Sequence, residues 1–134
     1  MIKTEDIMHR RQAVEPDATL RKVAYKLMST GYPGLPVVNE RLEIMGVLTE
    51  HDLIKALREG ADIDKAKASE IMNKEPVTAD INTPVEKIID MMLQHRFTMI
   101  PITRNNRLAG IASRDSVIEV YTEPGIWSYY SERH

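Results

Sequence analysis

The sequence predicts a mixed α/β (α+β) protein made of two tandem copies of one β-α-β-β-α unit. Three short blocks recur in the same order, 64 or 65 residues further along the chain, and each copy holds one amphipathic helix followed by two short apolar runs. A unit of about 60 residues buries too little surface to be stable alone, so the halves are expected to pack sheet to sheet with pseudo-two-fold symmetry. The recurring pairs include Met8/Met72, Pro36/Pro101 and Gly46/Gly110.

Each copy contains a segment whose apolar residues fall three or four positions apart. In the first copy this spacing runs from Leu20 to Met28, and in the second from Val85 to Met92. Gly31 is expected to end the first helix, because glycine accepts the left-handed geometry of a helix C-terminus. The spacing therefore predicts one amphipathic helix per copy.

Two apolar runs follow each of these helices. They are too short, and too closely flanked by Gly, Pro and Asn, to be helices, so they are interpreted as buried strands. The polar segments 39–41 and 104–107 suit tight antiparallel connections between them. The predicted strands are residues 35–38, 44–48, 99–102 and 108–112.

A second helix is expected to begin near Glu50 in one copy and near Asp115 in the other. The polar segment 58–67 is interpreted as the linker between the copies. The predicted domains are a first repeat at 1–62, a second repeat at 63–122 and an aromatic C-terminal tail at 123–134. The residues expected to face inward on the second helices are Leu53, Ile54, Leu57, Val117, Ile118 and Tyr121.

Composition and charge narrow the functional class. The 134 residues include 18 basic and 20 acidic side chains, a net charge of −2 that disfavours a non-specific nucleic-acid binder. The absence of cysteine excludes disulfide scaffolds and thiol chemistry. The chain does not begin like a signal peptide, and no apolar run approaches the ~20 residues of a membrane helix. These features predict a cytoplasmic protein with no nucleic-acid or membrane partner.

Thr49 and Asp52 stand where a predicted strand runs into a predicted helix. Their spacing predicts a capping box, in which the Thr49 hydroxyl covers a free amide and Asp52 reaches back to the chain. Ligand contact is the alternative, because a helix N-terminus also suits phosphate. The second copy has Ser113 and Ser116 at these positions, and Asp115 comes one residue early. One residue is about 100° of helical rotation, so Asp115 is expected to point elsewhere.

The ordered and repeated pattern resembles a tandem pair of cystathionine-β-synthase-type (CBS) domains, also called a Bateman module. The resemblance covers roughly residues 4–122 and includes the Ile-Met pairs, the helix beginnings at 16–20 and 82–85, the two prolines and the Gly-x-x-Thr/Ser blocks. It implies pseudo-symmetric halves, usually dimerised. It also implies a regulatory ligand from the adenosine class (AMP, ADP, ATP, S-adenosylmethionine or NAD) bound between the halves, with no obligatory cofactor.

In the family, the Thr/Ser of one copy contacts phosphate, and the Asp of the same copy accepts hydrogen bonds from the ribose hydroxyls. The other copy supplies the base pocket. The resemblance implies that the main cleft holds Thr49, His51, Asp52, Asn73, Val77, Thr78, Phe97 and Thr98. The weaker cleft would hold Ala13, Tyr32, Pro33, Ser113, Arg114 and Ser116. Met99 and Ile100 could flank an adenine or belong to the core. Because Ser116 offers no carboxylate, at most one tight site per chain is expected.

The predicted function is a stand-alone, homodimeric regulatory module that binds an adenosine nucleotide and acts on a protein partner in trans. The alternative is a ligand-free module for dimerisation or partner docking. No nucleotide-binding loop or hydrolase motif is present, so no enzyme is predicted. The histidines show no metal spacing, and no metal site is predicted. The tail aromatics Trp127, Tyr129 and Tyr130 are expected either to pack on their own domain or to form an interface.

Overall fold

The computed structural model describes residues 2–122, and the predicted tail 123–134 lies outside them. The chain divides into two compact units: one is Gln12–Pro76, and the other combines the residues up to Arg11 with those from Val77 onwards. The elements in chain order are a 3₁₀ turn Thr4–Asp6, β1 His9–Arg10, α1 Leu20–Thr30, β2 Gly34–Val38, β3 Ile44–Thr49, α2 Glu50–Arg58, α3 Ala68–Ile71, β4 Ala79–Asp80, α4 Val85–His95, β5 Met99–Arg104, β6 Arg107–Ser113 and α5 Arg114–Thr122.

The unit Gln12–Pro76 is built on the antiparallel pair β2 and β3. Val14 adds a parallel bridge to Val37 on β2, and Asn73 adds an antiparallel bridge to Val47 on β3. The sheet is therefore extended at both edges by single residues from outside the hairpin. As predicted, α1 ends at Gly31, which has a φ of 72°.

The other unit repeats this plan with longer edge strands. Its sheet has the order β1-β6-β5-β4, with β1 antiparallel to β6 and β4 parallel to β5. His9 opposes Ile111 here, as Asn73 opposes Val47 in the first unit. The equivalence of the two units matches the sequence repeat and confirms the predicted mixed α/β class.

The compact units differ from the predicted repeats 1–62 and 63–122 in where each repeat's N-terminal segment packs. Residues 2–11 precede the first repeat's helices, yet β1 completes the sheet of the second repeat, and Glu5 forms an ion pair with Arg104. Residues 63–76 complete the sheet of the first repeat in the same way. The physical reason is that β3 and β6 each need a partner for an otherwise unpaired edge.

Two equivalent glycines make these edge pairings possible. A Cβ on Gly46 would lie 2.6 Å from the carbonyl oxygen of Asn73 and 2.7 Å from Sδ of Met72. A Cβ on Gly110 would lie 2.7 Å from the carbonyl oxygen of His9 and 2.7 Å from Sδ of Met8. The recurring methionine and glycine blocks of the sequence therefore pack against each other, since only a residue without a side chain leaves room for the approaching segment.

The first helix of each repeat buries the face that its spacing predicts. Leu20, Val23 and Leu27 are buried on α1, and α4 buries its own equivalent apolar residues.

The prediction for the second helices is wrong in part. Of the six residues expected to face inward, Leu53 is buried and Val117 partly buried, while Ile54, Leu57, Ile118 and Tyr121 are exposed. On these short helices the sheet covers only a narrow stripe, which on α5 consists of Ser116 and Val120.

The segment predicted as a polar linker, 58–67, has a structural role on α1. The backbone N–H groups of Leu20 and Arg21 donate to the carbonyl oxygens of Ala66 and Ile63, which satisfies two amides of the first helical turn. The Arg21 guanidinium also binds both carboxylate oxygens of Asp64, at 2.6 and 3.1 Å, and this hydrogen bonding lowers the pKa of Asp64. The segment thus covers a helix terminus rather than only joining two repeats.

The longest helices within residues 2–122 are α1 and α4, with eleven residues each, and neither is long enough to cross a membrane.

Candidate functional site

The N-terminus of α2 carries the predicted capping box. The Thr49 hydroxyl accepts a hydrogen bond from the Asp52 N–H at 3.1 Å, and Asp52 Oδ2 accepts one from the Thr49 N–H at 2.9 Å. The carbonyl oxygen of Pro33 accepts the Glu50 N–H at 2.9 Å. These bonds form because Thr49 ends β3 with extended backbone and so presents its side chain to the first helical turn.

Asp52 retains capacity for a ligand after capping. Its side chain is half-buried, and its Oδ1 has no hydrogen-bond partner among residues 2–122. A carboxylate oxygen has two lone pairs, so Asp52 can cap the helix and still accept hydrogen bonds from a ligand. Glu50 in the same turn adds a second negative charge, which favours hydroxyl donors over a phosphate beside these carboxylates. The arrangement is suited to binding a ribose diol.

His51 and Asn73 belong to the same unit as Thr49 and Asp52. The His51 side chain is exposed on the first turn of α2. Asn73 pairs with Val47 through two backbone hydrogen bonds, of 2.8 and 3.0 Å, which fixes it beside β3. Its Oδ1 accepts the N–H of Glu75 at 3.0 Å, so the side chain also shapes the following turn. Asn73 thus has a structural role. Its side chain is exposed, and its pairing partner, Val47, lies two residues before the end of β3.

The equivalent helix in the other unit, α5, is capped without a carboxylate. The Ser113 N–H donates to Oγ of Ser116 at 3.1 Å, and Ser116 is 0% exposed. Arg114 and Asp115 are both exposed, and Ser116 makes the hydrogen bond that Asp52 makes at α2. The two helix N-termini therefore share this hydrogen bond and differ in the charge of its acceptor.

The residues predicted to form the base pocket of the main cleft lie in the unit that begins at Val77. Val77 and Thr78 are exposed, and Phe97 and Thr98 are half-buried. The Phe97 ring stacks on His95 with ring centroids 5.3 Å apart, and it lines an apolar groove of about 540 Å³ between α4 and α5. Of the two interpretations of Met99 and Ile100, their burial favours the core, and contact with an adenine stays a prediction.

The counterparts predicted for the weaker cleft, Ala13, Tyr32 and Pro33, are half-buried in the unit Gln12–Pro76. The carbonyl oxygen of Ala13 accepts a hydrogen bond of 2.6 Å from Nζ of Lys26. Lys26 was not predicted from the sequence as a neighbour of these residues. It could have been found by aligning the repeats at their first helices, because a lysine, Lys26, then stands opposite an apolar residue, Met91.

Each predicted site draws its residues from both units. The unit Gln12–Pro76 brings Thr49, Asp52 and Pro33 together at the start of α2, and Asn73 pairs with β3. His51, Ala13 and Tyr32 belong to the same unit. The predicted contacts in the other unit are Val77, Thr78, Phe97, Thr98, Ser113, Arg114 and Ser116. No group of His, Asp or Glu side chains within the described part of the chain is arranged to hold a metal ion, and His134 lies outside that part.

Comparison with protein families gives two matches to the CBS domain, at residues 5–59 and 68–123. Hypoxic response protein 1 of Mycobacterium tuberculosis is 26% identical over 128 residues, covering 94% of this chain and 90% of that protein. A crystal structure of Hypoxic Response Protein I with two coordinated zinc ions matches with a TM-score of 0.76 at 26% identity, covering 89% of this chain and 98% of that one.

The CBS domain pair of protein MJ0100, crystallised with 5′-methylthioadenosine and S-adenosyl-L-methionine, has a TM-score of 0.81 at 21% identity. The match covers 92% of this chain and 98% of that one, and at this identity it shows a common fold.

A homoserine O-acetyltransferase of Methanococcus vannielii is 28% identical over 120 residues, which is 88% of this chain and 24% of that enzyme. The chain spans 24 to 63% of the length of the first three curated relatives that it matches.

Proposed function

Because the chain belongs to the CBS domain family, with two CBS domains over most of its length, we propose that it is a regulatory module that binds an adenosine ligand through Thr49 and Asp52. One observation carries the proposal: a half-buried carboxylate caps α2 with Oδ2 while Oδ1 has no partner among the described residues. The adenosine compounds bound by the MJ0100 pair support the ligand class.

The roles of the individual contacts follow from their chemistry. We expect Asp52 to accept hydrogen bonds from the ribose hydroxyls, and the Thr49 hydroxyl and the exposed His51 to contact the 5′ substituent of the ribose. Asn73 adds an amide donor from the same unit. The base contacts, Val77, Thr78, Phe97 and Thr98, stay predictions, as do Ala13, Tyr32, Pro33, Ser113, Arg114 and Ser116 for the weaker site.

We propose that the module changes the activity of a separate partner protein, in trans. We also propose that it has no catalytic activity of its own. The acetyltransferase relative supports no enzymatic role, because the match spans only 24% of that enzyme. A ligand-free docking module is the second candidate. It is favoured by the apolar residues that both units expose on their helices.

A thermal-shift panel tests the proposed function. The unmodified chain is heated with AMP, ADP, ATP, S-adenosylmethionine, 5′-methylthioadenosine and NAD, each in large excess, and with GMP as a control for the base. A ligand at 100 times its Kd adds about 2.7 kcal/mol of stability, which is a rise of several degrees in Tm at this size. At least one adenosine compound is expected to produce this rise. No response to any of them would support the docking module instead.

A homodimer is expected from three pairs of exposed apolar residues at equivalent helix positions, Met28/Leu93, Ile54/Ile118 and Leu57/Tyr121. Ile54 is 67% and Ile118 56% exposed, and a lone molecule would leave both in water. Exposed apolar residues at the same helix positions of each repeat suit a symmetric partner, and a second copy of the chain is the simplest one. Sedimentation is expected to show a dimer at micromolar concentration.

Changing Ile54 to Glu together with Ile118 to Glu is expected to weaken that dimer by at least about tenfold, since charge would be buried without a partner. Lys55→Glu, which places the same side chain one position along α2, is the matched control and should leave the dimer intact. An unmodified chain that sediments as a monomer at all micromolar concentrations would contradict the dimer.

A further inference from the structure

The groove between α4 and α5 combines an open apolar lining with two arginines. Its volume is about 540 Å³, and Met92, Leu93 and Ile118 belong to the apolar lining. Leu93 is 75% and Ile118 56% exposed among residues 2–122. The charged residues that line the groove are Arg96 and Arg114. An apolar surface of this kind, when it is left open, indicates a place where another segment binds.

Both arginines are departures from the first repeat. Arg96 ends α4 with a φ of 56°, where Gly31 ends α1 with a φ of 72°. Arg114 begins α5, where Glu50 begins α2. The left-handed backbone at Arg96 suits glycine better than a residue with a side chain. Neither arginine forms an ion pair with another described residue, so both guanidinium groups are available to stack on aromatic rings.

The segment 123–134, which lies outside the described residues, has the composition that such a groove suits. It follows α5 directly, since that helix ends at Thr122. Its side chains offer apolar area for the lining and aromatic faces for the two guanidinium groups. The large apolar and aromatic residues of the segment are Ile126, Trp127, Tyr129 and Tyr130.

The connection to α5 is short enough for this segment to reach the groove. Ile118 lies four residues before Thr122, which is about 6 Å along the helix axis. The pair Pro124-Gly125 is typical of a turn and so allows the chain to reverse direction. Four extended residues span up to about 14 Å, so residues from 126 onwards can return to Ile118. A tethered segment also has an effective concentration of roughly millimolar, which favours it over a separate molecule.

We propose that residues 123–134 bind the groove between α4 and α5 of their own chain, with aromatic rings stacked against Arg96 and Arg114. This inference is independent of the adenosine ligand. The segment then covers two of the exposed residues from which a homodimer is expected. The equivalent residues of the first repeat, Met28 and Ile54, stay available to a second copy.

Trp127 is the only tryptophan of the chain, so its fluorescence reports on this segment directly. The unmodified chain is expected to emit at shorter wavelength, and to be quenched less by acrylamide, than the chain unfolded in urea. Leu93→Glu places a charge in the apolar groove and is expected to shift the emission most of the way to the unfolded value. Gln94→Glu, one position along α4, is the matched control and should keep the emission of the unmodified chain. Residues 93 and 94 are both exposed, so both variants are expected to fold.

Arg114→Glu is the second variant, and it copies Glu50 of the first repeat. A negative charge at a helix N-terminus favours the helix, so this change should preserve α5. Loss of the guanidinium is expected to shift the Trp127 emission in the same direction as Leu93→Glu. Thermal unfolding of each variant checks that the fold is retained. A shift in Leu93→Glu without one in Arg114→Glu would overturn the role assigned to this arginine.

The remaining outcomes decide which molecule occupies the groove. Emission of the folded, unmodified chain equal to that in urea would overturn the proposal and leave the groove to a separate partner. Equal shifts in Leu93→Glu and Gln94→Glu, or none in Leu93→Glu, would show that Trp127 does not pack in the groove. The emission is also expected to be the same at all protein concentrations. A shift to shorter wavelength that appears only as sedimentation shows a dimer would assign the segment to a second copy and overturn binding within one chain.

Discussion

Replacing Gly46 by alanine is expected to destabilise the protein by about 3 kcal/mol, near the upper end of what overpacking usually costs. The new Cβ would lie 2.6 Å from the backbone carbonyl oxygen of Asn73, which is not free to move as a side chain would be. Relief requires moving the segment that pairs with β3, and this breaks the two backbone hydrogen bonds between Val47 and Asn73. At this chain length the loss corresponds to a fall in Tm of roughly 10 °C.

Gly110→Ala provides an internal replicate, because its Cβ would meet the carbonyl oxygen of His9 at 2.7 Å and the side chain of Met8. Both variants should therefore lose similar stability in thermal and urea unfolding. Gly34→Ala is the matched control, since its nearest neighbour would be 3.1 Å away, and a clearly smaller loss is expected. Equal effects for Gly34 and Gly46 would show that the edge pairings are not the tight contacts described above.

Asp52→Ser is expected to weaken binding of the adenosine ligand by about ten- to a hundredfold while changing the fold little. The variant copies the second repeat, where Oγ of Ser116 accepts the backbone N–H of Ser113 at 3.1 Å. The cap is thus retained and the carboxylate is lost. Charge-assisted hydrogen bonds to the ribose contribute roughly 1.5–3 kcal/mol, which corresponds to that loss in affinity.

Asp52→Ala is the companion variant, because it removes the carboxylate together with the hydrogen bond from the Thr49 N–H, while the Thr49 hydroxyl still accepts the N–H of residue 52. It should bind as weakly as Asp52→Ser and in addition lose about 1 kcal/mol of stability, the usual net contribution of one hydrogen bond. The difference in Tm between the two variants then isolates the structural role of Asp52. Undiminished affinity in Asp52→Ser would show that Asp52 only caps α2.

The reverse change, Ser116→Asp, is not expected to create an equal second site. Ser116 is 0% exposed, whereas Asp52 is half-buried, so a carboxylate at position 116 would have to leave water. A fall in Tm is the expected result, measured by thermal unfolding of the variant beside Asp52→Ser. A stable Ser116→Asp protein with a second tight site would contradict this reasoning.

Local features of the fold could be predicted from the sequence because they depend on near neighbours. The spacing of Leu20, Val23 and Leu27 defines one helical face, and Thr49 lies within one turn of Asp52. The exchange of N-terminal segments between repeats could not be predicted in this way. Met8 and Gly110 both stood out as repeated residues, but their contact joins opposite ends of the chain and depends on which sheet edge is left unpaired.

The site was predictable to a similar extent. The cap followed from the three-residue spacing, and so did the equivalence of Ser116 to Asp52. The hydrogen bond from Lys26 to Ala13 depends on how α1 lies against the preceding segment, which periodicity does not specify. The exposure of Ile54 and Ile118 was not predicted for a related reason. A helix face that packs on a core and one that packs on a partner have the same apolar spacing in the sequence.

The most direct measurement is a calorimetric titration of the unmodified chain with the adenosine compound that raises its Tm most. The central claim predicts one tight site per chain, at the helix that Thr49 and Asp52 cap, with the second event absent or at least about tenfold weaker because Ser116 has no carboxylate. Two equally tight sites per chain, or no heat of binding with any adenosine compound, would contradict it.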